Sequence, residues 1–269
     1  MTIIKYIILG IIQGITEPIP VSSSGHITLF KALINSTIFD SLNFEIISNF
    51  GSFIAILIIY FKDIKILIKD FIVFISKKEK RKEKKNNFSY VIKIIISTIP
   101  IGIMGLIFKG KIESLNNMNF LAIAFIITGL SLLLVSKKNG FKEDKDITYK
   151  DAIIIGLLQA LTVMPGISRS GTVLVACLLC NLKRENALKY TFMLYFPVSI
   201  AAMILGMKDF ILVSNLNDLI LPYGLGMIAA LIVTYYSYNW LSNWVKKGKL
   251  SKFAYYCFFL ALFILWYFN

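Results

Sequence analysis

Long apolar segments separated by short polar ones run through most of the chain. A helix needs about 20 predominantly apolar residues to cross a hydrocarbon core of about 30 Å. Segments of this length lie at 42–62, 88–108, 118–136, 186–206, 218–238 and 251–268. The pattern therefore predicts an all-α polytopic membrane protein with six transmembrane helices.

Two further pairs of apolar arms are too short to cross alone. The pairs are 2–15 with 24–35 and 150–163 with 172–182, and a stretch rich in Pro, Gly and Ser separates the arms of each pair. Non-helical backbone at membrane depth is tolerated only where protein or a wet cavity satisfies its polar groups. Each pair is therefore predicted to form a re-entrant helical hairpin, which enters and leaves the membrane on the same side.

The two hairpin segments repeat one another. GIIQGITEPIPVSSSGH begins at Gly10, and GLLQALTVMPGISRSGT begins at Gly156. Identical residues in register are Gly10 and Gly156, Gln13 and Gln159, Thr16 and Thr162, Ser22 and Ser168, Ser24 and Ser170, and Gly25 and Gly171. Each half then holds one hairpin and three spans, and an odd number of crossings places the second half upside down. We predict a single membrane domain, 1–269, built from inverted repeats at about 1–140 and 141–269.

The charge pattern predicts the orientation of these spans. The chain carries 29 Lys and Arg residues against 15 Asp and Glu, in a composition that is 57% hydrophobic. Most of the cations fall in the loops 62–87, 137–150, 183–185 and 245–252, which the topology puts on one face. By the positive-inside rule this face is cytoplasmic and meets membrane lipids, and both termini lie outside. Because the cations lie between spans, topology explains them better than nucleic acid binding does.

The tips of the two hairpins carry the polar residues that could do chemistry. Entering from opposite sides, they should bring Glu17, Ser22, Ser23, Ser24 and His26 to face Ser168, Arg169, Ser170 and Thr172. A cation at membrane depth is costly and by default functional. The planar fork of Arg169 suits phosphate oxygens, and the N-termini of the second arms favour anions. The tips therefore predict a phosphate pocket.

Several roles remain open within this pocket. His26, the only histidine of the chain, or a serine could act as nucleophile, and Glu17 could orient it, hold a divalent metal or take a proton. A Ser/Gly-rich turn can also be a simple helix cap, and a lone histidine a packing residue. We expect the His26 imidazole and the Arg169 guanidinium to line one polar cavity. Glu17 is expected to hydrogen-bond the imidazole directly or through one water or ion.

Several motifs carry a resemblance to a known family. They are Gln13 to Glu17 in the form (E/Q)-x-x-x-E, PVSSSGH from Pro20 to His26, and PGISRSGTV from Pro165. Further similarity lies in FEIISNFGSFIAIL at 44–57, TIPIGIMGLIFKGKIES at 98–114 and YTFMLYFP at 190–197. With these motifs the sequence resembles the undecaprenyl-diphosphatase family, integral-membrane enzymes also called bacitracin-resistance proteins.

The resemblance implies hydrolysis of undecaprenyl diphosphate to undecaprenyl phosphate and inorganic phosphate, which recycles the lipid carrier of cell-wall synthesis. It also implies a bacterial cell (inner) membrane location, a site open to the outer face, and help from Mg²⁺ or Ca²⁺. Carried over by position, the predicted catalytic residues are Glu17, Ser23, His26 and Arg169. Predicted to bind substrate phosphate are Ser22, Ser24, Gly25, Gly166, Ser168, Ser170 and Thr172. Glu17 is the candidate metal ligand and Gln13 a weaker one, since the family often has glutamate there.

Alternatives remain for the function and for the assembly. Type-2 phosphatidic-acid phosphatases need two histidines, so the single histidine of this chain excludes them. A transporter or flippase for a polyprenyl phosphate would also suit an inverted repeat with a midplane site. A carrier, however, needs phosphate affinity but no imidazole and carboxylate beside it. Ser23, His26 and a water all stay open as the nucleophile, and a homodimer is compatible with the sequence.

Overall fold

The structure, a computed structural model, describes residues 2–34, 42–112, 117–211 and 216–268. Within these ranges the chain is α-helical, with short 3₁₀ turns between helices and no β-strand. The helices are α1 (Thr2–Thr16), α2 (Ser23–Leu33), α3 (Leu42–Ser76), α4 (Arg81–Ile112), α5 (Met118–Val135), α6 (Tyr149–Ala160), α7 (Arg169–Leu179), α8 (Arg184–Ile211), α9 (Leu216–Lys246) and α10 (Leu250–Phe268).

Six of the described helices are long and apolar enough to cross a membrane. They correspond to Phe44–Ser76, Lys78–Phe108, Met118–Val135, Arg184–Gly206, Asp218–Lys246 and Leu250–Phe268. Each contains or overlaps one of the six segments predicted from the sequence. The prediction of a multi-pass, all-helical membrane protein is therefore confirmed.

The predicted loop at 62–87 is mostly helical instead. Helix α3 continues to Ser76 and α4 begins at Arg81, so only a short turn joins them. The extension keeps an apolar side because Phe74 stacks on Phe88 across the two helices, with ring centroids 3.9 Å apart. Lysines at 65 and 69 occupy the exposed side. The extension is thus amphipathic, and a purely apolar window stops too early to include it.

The four remaining helices are short, and their positions correspond to the arms predicted for the two hairpins. Helix α1 packs against α2, and α6 packs against α7. Pro18 and Pro20 follow the end of α1, and Pro165 follows the end of α6. Proline cannot donate the hydrogen bond that would continue a helix, so both first arms end there. Gly166 then adopts a φ of 81°, which favours glycine in this turn.

Long helices hold the short ones in place. Helix α1 lies along α9, and α6 lies along α4. At these crossings a glycine allows close approach, because a Cβ on Gly10 would overlap the backbone of Gly226, and one on Gly156 the backbone of Ser97. Helix α5 packs against α10 and touches both second arms, α2 and α7. The polar breaks between arms therefore lie inside the helix bundle.

Candidate active site

The Glu17 carboxylate is the meeting point of the two hairpin tips. It follows α1 directly and is buried. Its Oε1 accepts a hydrogen bond from Arg169 Nη2 at 2.6 Å. Its Oε2 accepts from Ser23 Oγ at 2.5 Å and from Gln13 Nε2 at 2.9 Å. The predicted encounter of Glu17 with Arg169, across 152 residues of sequence, is present in the structure.

Arg169 is held by groups from two other parts of the chain, the first tip and helix α8. Besides Glu17, its guanidinium donates from Nη1 to Ser199 Oγ at 3.3 Å and lies over the Tyr195 ring, 4.6 Å from the centroid. The Tyr195 hydroxyl in turn donates to Asn49 Oδ1 at 3.1 Å. Arg169 is the first residue of α7, where the helix dipole disfavours a cation. The carboxylate and the aromatic face offset that cost and keep a guanidinium at this position.

The serines of the two tips form matching helix caps. Ser22 Oγ accepts from Gly25 N at 3.2 Å at the start of α2, and Ser168 Oγ accepts from Gly171 N at 3.1 Å at the start of α7. The hydroxyls of Ser24 and Ser170 lie 3.4 Å from those of the respective caps. The capping interpretation of these serines is thus correct, and it leaves their hydroxyls in the polar tip region.

A cavity of about 230 Å³ opens beside the Glu17 and Arg169 pair. Helices α3, α4 and α8 supply the remaining walls, among them Asn49, Ile101 and Tyr195. The predicted site residues that line it are Glu17, Ser22, Ser23, Ser24, Ser168, Arg169 and Ser170. The space is therefore polar on the side of the tips and largely apolar on the side of the long helices.

Four of the predicted phosphate and catalytic residues lie behind this surface. Gly25 packs against Leu121 and Phe125 of α5, and Gly166 packs against Leu121. Thr172 donates its backbone N–H to Ser168 O within α7. None of these three, nor His26, is among the described residues that line the cavity. Phosphate binding by Gly25, Gly166 and Thr172 stays a prediction.

His26 differs most from its expected geometry. Its Nδ1 lies 2.7 Å from Ser22 O, and its Nε2 lies 2.9 Å from the Tyr256 hydroxyl of α10. A carbonyl oxygen only accepts, so Nδ1 carries a proton. The direct hydrogen bond expected between Glu17 and the imidazole is absent, because both ring nitrogens have other partners, and His26 is not among the described residues that line the cavity. The reason is that His26 lies one turn into α2, where its ring reaches back to the cap and outward to α10. Its catalytic role stays a prediction.

Comparison with known proteins assigns this chain to a family. The family model of the bacitracin resistance protein BacA matches residues 6–263, nearly the whole chain. This chain belongs to the BacA family. The undecaprenyl-diphosphatase 2 of Bacillus thuringiensis (strain Al Hakam) is 41% identical over 256 residues, which covers 95% of this chain and 94% of the relative.

Two further relatives of this chain carry the same enzyme name. The undecaprenyl-diphosphatase of Oceanobacillus iheyensis is 40% identical over 267 residues, 98% of this chain and 96% of the relative. The undecaprenyl-diphosphatase 1 of Halalkalibacterium halodurans is 38% identical over 264 residues, 98% of this chain and 95% of the relative. The resemblance seen in the motifs is confirmed.

The residues of the long helices that support the site were not predicted from the sequence. Asn49, Tyr195 and Ser199 complete the surroundings of Arg169, and Tyr256 holds His26. A signal was present for two of them, because Asn49 and Ser199 are polar residues inside apolar spans, where polar groups usually face the bundle interior. Tyr195 and Tyr256 lie in aromatic-rich runs, and nothing in the sequence distinguishes them from packing residues.

The described residues of this BacA chain do not assemble a metal site from protein groups alone. They contain no cluster of three or more His, Cys, Asp or Glu side chains able to hold an ion. Gln13 turns its amide N–H toward Glu17, and both Glu17 oxygens already accept hydrogen bonds. A divalent ion here would need most of its oxygen ligands from elsewhere.

Proposed function

We propose that this BacA-family protein hydrolyses undecaprenyl diphosphate to undecaprenyl phosphate and inorganic phosphate. The reaction recycles the lipid carrier of cell-wall synthesis and confers bacitracin resistance. The observation that carries the proposal is the cavity in which Arg169, Glu17 and Ser23 meet inside a helical membrane protein. The cavity brings together a cation suited to phosphate, a carboxylate base and a hydroxyl. The relatives' printed name, undecaprenyl-diphosphatase, supports the same reaction.

The hydrogen bonds suggest how these groups divide the work. When a diphosphate binds, the Arg169 guanidinium moves its hydrogen bonds from Glu17 to phosphate oxygens, and the carboxylate keeps its contacts with Ser23 and Gln13. Glu17 Oε2, which accepts from Ser23 Oγ at 2.5 Å, then takes the proton of the attacking hydroxyl. The oxygen bonds to the terminal phosphorus as the bond to the bridging oxygen breaks, and undecaprenyl phosphate leaves. Water then attacks the phosphorus, the bond from phosphorus to Ser23 Oγ breaks, Glu17 returns its proton to that oxygen, and inorganic phosphate leaves with both protons of the water.

His26 is the weaker candidate for the nucleophile. Both of its ring nitrogens have partners, Ser22 O and the Tyr256 hydroxyl, and His26 is not among the described residues that line the cavity. A water in place of the Ser23 hydroxyl would use the same carboxylate. In this scheme His26 is a positioning residue that fixes the start of α2, and with it the neighbouring Ser23.

A divalent cation, Mg²⁺ or Ca²⁺, is proposed to arrive with the substrate. Mg²⁺ commonly binds through one or two carboxylates, several waters and substrate phosphates. Among the described residues that line the cavity, only Glu17 carries a carboxylate, so the diphosphate itself would supply the other charged oxygens. The ion would neutralise charge on the diphosphate, and no step described above passes through it.

The re-entrant hairpins and the inverted repeat are part of the proposal. Equivalent helices make equivalent contacts: α1 packs on α9 as α6 packs on α4, and α5 packs on its own counterpart, α10. Ser22 and Ser168 cap the corresponding helices through the same hydrogen bond, which each hydroxyl oxygen accepts from the N–H three residues on. These pairings support two halves, about 1–140 and 141–269, related by a pseudo-two-fold axis in the membrane plane.

The proposed orientation has both termini outside a bacterial cell membrane and the site open to the outer face. A cysteine replacing Asn86, an exposed residue of α4, should be protected from an impermeant thiol reagent in intact cells. A cysteine replacing Asn116, which lies outside the described residues, should react. The natural cysteines Cys177, Cys180 and Cys257 are buried and give a low background. Labelling at Asn86 but not at Asn116 would reverse the topology.

The activity itself is tested by phosphate release from the purified protein in lipid vesicles. We expect release from undecaprenyl diphosphate with Mg²⁺ or Ca²⁺ present, and loss of release when a chelator removes the ion. Protein that moves polyprenyl phosphate between leaflets without releasing phosphate would favour the transporter alternative.

A further inference from the structure

An apolar groove of about 280 Å³ lies among α3, α4 and α8, close to the cavity. Its lining is entirely hydrophobic, and it includes Phe53, Ile64 and Phe71 from α3, Val91 and Ile94 from α4, and Phe196 from α8. Along α3 these residues extend from Phe53 to Phe71, a distance of about 27 Å at 1.5 Å per helical residue. A groove of this length suits an extended hydrocarbon chain.

The groove is continuous with the cavity wall. Phe53 lies one turn beyond the cavity residue Asn49 on α3, and Ile94 lies two turns from the cavity residue Ile101 on α4. The Phe53 ring bridges the two spaces, with its centroid 6.2 Å from that of Tyr195 in the cavity wall and 5.6 Å from that of Phe196 in the groove. The cavity beside Arg169 and the groove are therefore neighbouring spaces that meet at Phe53.

We infer that this groove binds the polyprenyl tail of the substrate whose diphosphate lies at Glu17 and Arg169. The inference rests on the proposed function. It fits the proposed orientation, because the groove leads from the cavity toward the turn between α3 and α4 on the predicted cytoplasmic face. When the head of an amphiphile enters from the outer face, its tail points toward the cytoplasmic face.

A second apolar groove is the alternative path for a lipid chain. It has a volume of about 370 Å³ and is lined by Ile19 of the first tip, Trp240 of α9, and Lys252 and Tyr256 of α10. No described residue of α9 or α10 lines the cavity with Arg169. A tail in this second groove would have to cross the tip of the first hairpin, whereas the groove along α3 shares three helices with the cavity.

Tryptophan substitutions at the far end of the groove test the inference. Two variants fill the groove: Ile64→Trp and Val91→Trp. Two controls place the same bulk at exposed positions: Ile66→Trp on α3, where the isoleucine is 54% exposed, and Ile95→Trp on α4, where it is 46% exposed. For the groove variants we expect kcat/KM on undecaprenyl diphosphate to fall about tenfold, the order of effect that apolar pocket contacts have. Geranyl diphosphate, whose short chain ends before these positions, should be hydrolysed as by the natural protein.

The controls should hydrolyse both substrates normally. Equal losses on the long and the short substrate, or no loss on the long one, would overturn the assignment of the groove. Failure of the natural protein to release phosphate from either substrate would instead overturn the proposed function.

Photolabelling separates the two proposals further, since it needs no turnover. A polyprenyl diphosphate with a diazirine near the end of its tail should label peptides of α3 and α4 around residues 64–71 and 91–94, and excess undecaprenyl phosphate should prevent this. Label confined to the second groove, at Trp240 or Phe253, would contradict the inference. Label at α3 and α4 that undecaprenyl phosphate does not displace would indicate a general membrane-lipid site and would also contradict it.

Discussion

Arg169→Lys is expected to lower kcat/KM for undecaprenyl diphosphate about a hundredfold or more, the order of loss when one positioned transition-state donor is removed. Lysine keeps the charge, but it cannot present two parallel N–H groups to phosphate oxygens, nor stack flat over an aromatic ring. Arg169 does the second of these over Tyr195 at 4.6 Å, and its two terminal nitrogens already point to different acceptors, Glu17 and Ser199.

The measurement is phosphate release by the purified variant, with thermal unfolding as a check of folding. Ser199→Ala is the matched control, because it removes one 3.3 Å hydrogen bond to Arg169 and keeps the guanidinium. The control should lose much less activity than Arg169→Lys. Near-normal turnover by Arg169→Lys would show that a point charge suffices and that Arg169 is no phosphate clamp.

The choice of lysine over alanine follows from the burial of the pair. Removing one partner of a buried ion pair leaves an uncompensated charge and costs about 3–5 kcal/mol of stability. The Glu17 side chain is 5% exposed and the Arg169 side chain 22%. An alanine at either position would therefore combine a folding defect with a chemical one, and a substitution of similar size keeps the two apart.

The meeting of the two tips could be predicted because the sequence carries it twice. Apolar arms that end at Pro18 and Pro165 predict the hairpins, and the predicted inverted repeat puts their polar tips face to face. The pairing of Glu17 with Arg169 follows from that symmetry and from the cost of an unpaired cation at membrane depth. The residues concerned are polar, and polar residues are conspicuous in an apolar chain.

The position of His26 could not be predicted in the same way. Its partner Tyr256 lies 230 residues away in an apolar helix and has no counterpart in the repeat motif. The sequence repeat aligns His26 with Thr172, and neither is among the described residues that line the cavity. A motif fixes which residues are near a tip, but the direction of each side chain depends on where the helix begins and on what packs beside it.

The groove beside α3 shows a second limit of the sequence. Residues Ile64, Leu67 and Phe71 follow Lys62, where the apolar window ends, and their periodicity is interrupted by charged residues. The sequence indicates an amphipathic helix there only when the residues are sorted by helix side, with Lys65 and Lys69 on the exposed side and the apolar residues on the other. Which neighbours leave a gap along that side depends on the packing of α4 and α8.

Glu17→Gln is expected to lower kcat about a thousandfold, within the range for loss of a general base. Glutamine has nearly the same shape, so it can keep a contact with Ser23 and Arg169, but it cannot take the Ser23 proton. The loss should fall on kcat and not on KM. Substrate binding should tighten, because Arg169 is no longer held by a charged carboxylate at 2.6 Å and is free for the diphosphate.

The split between kcat and KM is what distinguishes a base from a structural residue. Glu45→Gln is the matched control: it makes the same chemical change on α3, where Glu45 pairs with Lys31 at 3.8 Å, and Glu45 is not among the residues that line the cavity. That variant should stay within about threefold of normal activity, since a partly exposed ion pair contributes little. If Glu17→Gln raised KM and left kcat unchanged, the carboxylate would serve to hold Arg169 or the cation, and the Ser23 proton would need another acceptor.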